Sequence, residues 1–124
     1  MKKLSKIFLL IMFSFSYCTQ IYAFGDKVSY DEIFELYSDK STKLNILLYF
    51  KGVGTGLSWA NSELDYNNKE RLYCPPGDLV MTPEDYFKIY RNEYFRNKES
   101  WDAIDFQPPS WIVLEGLKTK YPRN

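Results

Sequence analysis

The chain is 124 residues long, balances 16 basic against 16 acidic side chains, contains no histidine and is 19% aromatic. Without histidine there is no Ser-His-Asp triad, no Cys-His pair and no His-ligated zinc. The balanced charge gives no general attraction to nucleic acid or to anionic membrane surfaces, since both call for clustered positive charge.

Lys2, Lys3 and Lys6 precede an uncharged run from Ile7 to Tyr17, and a short polar stretch then leads to Ile21, Tyr22 and Ala23. This pattern predicts a signal peptide over residues 1–23, cleaved after Ala23, and therefore a periplasmic mature chain starting at Phe24. The apolar run is shorter than the roughly 20 residues that cross a bilayer. An uncleaved amphipathic anchor is the alternative, whereas lipidation of Cys18 is opposed by bulky Tyr17, where a lipobox needs a small residue. Loss of three lysines from the 16 leaves 13 basic against 16 acidic residues, a net charge of minus three. Residues 24–124 then make one domain, long enough to bury about 65% of its unfolded surface. No repeat or Pro/Ser linker divides it.

Within the mature chain the apolar period is helical nearly throughout. Ser29 and Glu32 have the spacing of a capping box, and Ile33, Phe34, Leu36 and Tyr37 give the helix behind it an apolar face. Asp39 to Thr42 supplies a turn. From Leu44 to Leu64, the positions Ile46, Phe50, Val53, Leu57, Ala60 and Leu64 form one stripe along a helix about 30 Å long. Gly52, Gly54 and Gly56 oppose this helix by about 1 kcal/mol each relative to alanine. Gly-Val-Gly-Thr-Gly fits neither G-x-G-x-x-G nor the P-loop, and no strand pattern precedes it. Gly52, Gly56 and Ala60, four apart, instead predict a side-chain-free strip for close helix packing, so that leucine at position 56 should destabilise the fold.

After Asn67-Asn68, the segment Leu72-Tyr73-Cys74-Pro75-Pro76-Gly77 reads as a rigid connector. Cys74, the one cysteine left after leader cleavage, has no internal disulfide partner. It is expected to be buried beside the prolines, with interchain pairing or reactivity as alternatives. Thr82 caps the next helix, Pro83 takes its first position, Glu84 and Asp85 complement the dipole, and Met81 is placed to staple against Tyr86. Phe87, Tyr90 and Tyr94 continue its inner face. Asn97 to Pro109 reads as a variable loop, and a last helix from Ser110 to Tyr121 buries Leu114, Leu117 and Tyr121 before Pro122. The expected fold class is all-α, a small single-domain bundle of about four helices.

Three carboxylate pairs are near in sequence: Glu63 with Asp65, Glu84 with Asp85, and Asp102 with Asp105. Glycosidase-type work needs two such groups facing across a cleft in unequal environments. A helix start explains the second pair, and ordinary solvated surface explains the others. No catalytic, cofactor-binding or metal-ligating set emerges. Eighteen of the 101 mature residues are aromatic, and Tyr and Trp carry much of the binding energy of protein interfaces. Trp101 and Phe106, flanked by Asp102 and Asp105, are the candidate partner contacts, the alternative for Trp101 being a fold-back onto the core.

Four segments together resemble the Rap/Tai family: Tyr49-Phe50-Lys51-Gly52-Val53, Leu72-Tyr73-Cys74-Pro75-Pro76, Met81-Thr82-Pro83-Glu84, and Leu114-Glu115-Gly116-Leu117 ahead of Tyr121-Pro122. The similarity covers about residues 40–122. It implies a small exported α-helical protein of a family named for immunity proteins that guard bacteria against peptidoglycan amidases delivered by type VI secretion. Many members carry a cysteine three residues before the Tyr of the helical motif and another after the terminal aromatic-Pro pair. Ile46 and Arg123 stand there instead, so no family disulfide carries over. The expectation is a periplasmic, non-enzymatic binding protein whose partner is a protein, an amidase effector in the implied case, with a homodimer as one state open to it. No cofactor, nucleic acid or membrane is expected as a partner once the leader is removed. An envelope structural or interaction protein without a toxin partner is the alternative.

Overall fold

Side-chain caps set where two of the helices begin. The computed structural model describes residues 29–104 and 108–123; the expected leader, Asp105 and Phe106 lie outside the described residues. Helix α1 (Tyr30–Ser38) starts where the Ser29 hydroxyl accepts the Glu32 N–H at 3.3 Å. Asp39 turns the chain by accepting the Ser41 N–H at 2.9 Å, and α2 (Lys43–Tyr66) follows. It ends in a left-handed residue, Asn68 at φ 54°, which lets the Lys69 N–H reach back to Leu64 C=O at 2.8 Å. Asn tolerates that conformation better than other non-glycine residues. Helix α3 (Pro83–Arg96) carries a reciprocal box in which Thr82 Oγ1 accepts the Asp85 N–H while Asp85 Oδ2 accepts the Thr82 N–H at 2.9 Å. A short α4 (Lys98–Asp102) and α5 (Pro109–Lys120) complete the described chain. The fold is all-α, as the apolar period requires.

Helix α3 is the centre of the bundle. It packs most extensively on α5 and then on α2, and α1 lies across α2. Ile33, Ile46, Phe50, Tyr90, Ile112, Val113 and Leu117 are fully buried. Aromatic rings join the layers: Tyr37 stacks on Phe87 with centroids 3.8 Å apart, and Tyr30 on Tyr94 at 4.2 Å. Each such pair contributes about 0.5–1.5 kcal/mol beyond its buried area. Much of the aromatic content is therefore core. Burial pushes the Tyr90 hydroxyl well above the ordinary tyrosine range. The Arg96 guanidinium ties α3 to α5 by donating to Thr119 Oγ1 at 2.6 Å while it pairs with buried Glu93.

Two glycines let elements meet closely, and they are not those expected. A methyl on Gly116 would lie 2.6 Å from Ile89 Cγ2 and 3.2 Å from the Ile89 carbonyl oxygen, so this glycine sets the α3/α5 approach. At Gly54 the Tyr86 ring occupies the place of a side chain. Gly52 and Gly56, by contrast, face open space, and Ala60 is exposed. The expected Gly52/Gly56/Ala60 packing strip is thus corrected: the core stripe runs Ile46, Phe50, Gly54 and Asn61, with Val53, Leu57 and Leu64 at its margin. Asn61 replaces Ala60 because a buried polar group there has backbone partners. In α5 the buried face centres on Ile112, Val113, Gly116 and Leu117, with Leu114 and Tyr121 only partly covered.

Surface carboxylates add an acid-sensitive component. Hydrogen bonds hold four of them below the ordinary carboxylate range: Ser41 on Asp39, Arg71 on Asp65, the Thr82 backbone and hydroxyl on Asp85, and Lys98 with Tyr94 on Asp102. A depressed folded-state pKa means that the unfolded chain binds more protons as pH falls. This stabilisation is present above the ordinary carboxylate value of about 4 and is lost as pH drops through the lower folded values. The urea midpoint is therefore expected to fall steadily between about pH 5 and pH 2, and Asp85→Asn should flatten part of that slope. A midpoint independent of pH across that window would show that these contacts do not form in solution.

Candidate functional protein-binding face

Helix α2 is apolar on two opposite sides. One side is the core stripe. On the other, Leu44, Leu48, Gly52, Thr55, Trp59, Ser62 and Tyr66 recur at spacings of four and three, within an arc of roughly 80° at 100° per residue. No charged side chain interrupts them, although the outward face of a surface helix ordinarily carries charge. Leu44 is 64% exposed, Leu48 56%, Trp59 73% and Tyr66 85%.

The connector builds a groove beside this face. Asn61 holds the connector down: its Nδ2 donates to the Tyr73 carbonyl at 2.8 Å, and its Oδ1 accepts the Leu72 N–H at 2.7 Å. The Cys74 N–H, donating to the Tyr121 carbonyl at 2.9 Å, pins the other side to the end of α5. Tyr73 is thereby buried, and burial raises its pKa against an opposing hydrogen bond with the Ser58 side chain. Pro75, Pro76 and Gly77 then turn the chain so that Leu79 and Val80 stand at the surface, Val80 at 88% exposure. Between them and α2 lies a groove of about 430 Å³, lined among others by Thr55, Trp59, Tyr73, Leu79, Val80 and Tyr86. A neighbouring depression of about 370 Å³ shares Tyr73 and Leu79 and is bordered by the Asp65–Arg71 ion pair at 2.6 Å.

Such a surface can desolvate apolar side chains of another molecule. Monomeric proteins ordinarily keep contiguous exposed apolar patches to a few hundred Å². Here the apolar surface runs from the groove along α2 to Leu44, an extended shape suited to a protein surface. Another groove, of about 290 Å³ between α3 and α5, is lined mostly by charged and polar residues, among them Arg96 and Glu93, which pair with one another.

Of the residues expected to contact a partner, the two that are described, Trp101 and Asp102, lie elsewhere. Trp101 is 7% exposed and packs edge-on against Trp111 at 5.6 Å, so it caps the core instead of offering an anchor. The expected Asn97–Pro109 loop contains α4, which places Trp101 on the inner side of a helical turn. Asp102 is exposed but engaged: its Oδ1 accepts the Tyr94 hydroxyl at 2.5 Å, and it pairs with Lys98. Cys74, expected to be buried, is an exposed free thiol, because the hydrogen bond to Tyr121 fixes its backbone while its side chain faces outward. Among the described residues no three His, Cys, Asp or Glu side chains cluster to hold a metal ion, and no helix is long and apolar enough to cross a membrane.

No protein-family model, curated protein or solved structure matches the chain.

Proposed function

We propose that the chain is an exported, non-enzymatic binding protein of the bacterial periplasm that holds a protein partner on the outer face of α2 and the adjoining groove. One observation carries this reading: an exposed stripe of α2 with no charge within it, Lys51 standing at its edge in the groove, where Trp59 is 73% and neighbouring Val80 88% exposed. Blocking the cleft of an enzyme needs only shape and aromatic or aliphatic anchors with a polar rim, and the groove with its Asp65–Arg71 border offers these. The Rap/Tai-like segments give the partner its class, a peptidoglycan amidase delivered by type VI secretion, with this chain as its immunity protein.

Affinity-tagged protein recovered from the cell envelope tests this. A lytic peptidoglycan amidase is expected as the main co-purifying protein, inhibited at one-to-one stoichiometry. Trp59→Ala or Val80→Glu should weaken the complex by about 2 kcal/mol or more, roughly 30-fold. Undiminished hydrolysis in the presence of the chain, or equal inhibition by Val80→Glu, would refute the proposal. Recovery of this chain alone would favour the second reading, an envelope structural protein, for which the length of the exposed stripe speaks.

A further inference from the structure

We infer that the groove between α2 and the connector receives an extended segment of the partner protein bearing an acidic side chain, and that Lys51 holds its carboxylate. The inference rests on the docking face proposed above and names the chemistry of what that face takes. The groove contains one unmatched charge. Lys51 lines it, and every other lining residue is uncharged. Among the described residues no carboxylate lines the groove and none forms an ion pair with Lys51. Its neighbours one helical turn away, Leu47, Leu48, Gly54 and Thr55, supply no counter-charge either. A protein that covers the groove desolvates this ammonium, and a charge desolvated without an opposite one opposes binding. The occupant must therefore bring the anion.

The length and lining of the groove describe the rest of the segment. Lys51, Thr55, Ser58, Trp59 and Ser62 share one side of α2, and from first to last they span roughly 16 Å at 1.5 Å per residue. An extended chain covers that distance in about five residues. Trp59, with Leu79 and Val80 across from it, forms the apolar part of the groove, and Trp59 stands about 12 Å along the helix from Lys51. Acid and apolar anchor should thus be three to four residues apart in the segment, at about 3.3 Å each. Thr55 and Ser62 add hydroxyls to the lining, and an extended chain has backbone groups in need of such partners, whereas a helix satisfies its own. The depression bordered by Asp65 and Arg71 shares Ser58, Ser62, Tyr73 and Leu79 with the groove. The track therefore runs on beyond Ser62, which suits an internal segment passing through and an acidic side chain at Lys51.

Selection of random heptapeptides displayed on phage against the purified protein tests this. Enriched sequences are expected to carry Asp or Glu three or four residues from Leu, Ile, Phe or Trp. On Lys51→Glu the acid should give way to Lys or Arg. For a synthetic peptide of the preferred sequence, Lys51→Met, which keeps the apolar stem, should raise the dissociation constant about fivefold, and Lys51→Glu at least about fiftyfold. Both variants should keep the helical circular dichroism, because Lys51 is exposed. Added salt should weaken the peptide on the unaltered protein and leave it unchanged on Lys51→Met. Enriched peptides without an acid, the same peptides on Lys51→Glu, or no enrichment at all would overturn the inference. An amidase complex that Val80→Glu breaks and Lys51→Glu leaves intact would sink it alone. Acid-bearing peptides held through Lys51, with no amidase recovered from the envelope, would uphold it and remove the amidase as partner.

Discussion

Gly54→Leu is expected to destabilise the domain by about 3 kcal/mol, whereas leucine at Gly56 should leave it unchanged or stabilise it by up to about 1 kcal/mol. The two glycines are two residues apart on one helix, so propensity favours both substitutions equally. Surroundings decide the outcome. At Gly54 the Tyr86 ring fills the space a side chain would need, and Tyr86 is itself buried between α2 and the connector. Leucine would drive that ring outward, open the top of the core and deform the groove that Tyr86 lines. At Gly56 nothing lies within 4 Å of the added carbon, and the helix gains what glycine withholds. For a domain of this size each kcal/mol moves the melting temperature by about 4–8 °C. Thermal unfolding followed by circular dichroism should therefore separate the two variants by more than about 12 °C. Equal melting curves would show that the Tyr86–Gly54 contact is absent in solution.

The second large effect is expected at Asn61. Its side chain is buried and ties the connector to α2, accepting the Leu72 N–H at 2.7 Å and the Tyr73 N–H at 3.4 Å and donating to the Tyr73 carbonyl. Asn61→Ala takes the side-chain partner from the Leu72 N–H, the Tyr73 carbonyl and the more distant Tyr73 N–H, at about 1–3 kcal/mol for each group left unpaired. A loss of about 2–4 kcal/mol in urea unfolding is expected, with water repairing some of it. The effect should reach function as well, since Tyr73 forms the floor of the groove. Amide exchange at Leu72 and Tyr73 should accelerate sharply while the α3/α5 contact stays protected. Uniform acceleration over the whole domain would mean that Asn61 supports the fold at large and not the connector in particular.

These two residues also show what the sequence discloses and what it withholds. Local chemistry was legible: Ser29, Thr82 and Pro83 start helices where capping rules place them, and Asn67-Asn68 ends α2. The core stripe of α2 was legible to Leu57, because spacing alone defines a helical face. Beyond it, periodicity favours the apolar Ala60 over its neighbour Asn61, for nothing local reveals that a distant connector will offer backbone partners to an amide. Which of three alternating glycines meets a ring is likewise a tertiary fact. Trp101 illustrates a different failure. Acids and turn residues around it suggest a loop, yet one helical turn is enough to direct the indole inward against Trp111. The exposed face of α2 could have been found: Leu44, Leu48, Trp59 and Tyr66 keep the same spacing as the core stripe, on the opposite side. A helix with two apolar faces has one to spare.

Site-specific photo-crosslinking in the producing cell tests the docking face most directly, with a photoreactive residue at Val80 in the full chain and, as control, at exposed Lys40 on the far turn. One defined protein adduct in the envelope is expected from position 80, lost when Trp59→Ala is added, and none from position 40. No adduct at Val80, or the same adducts from both positions, would contradict it.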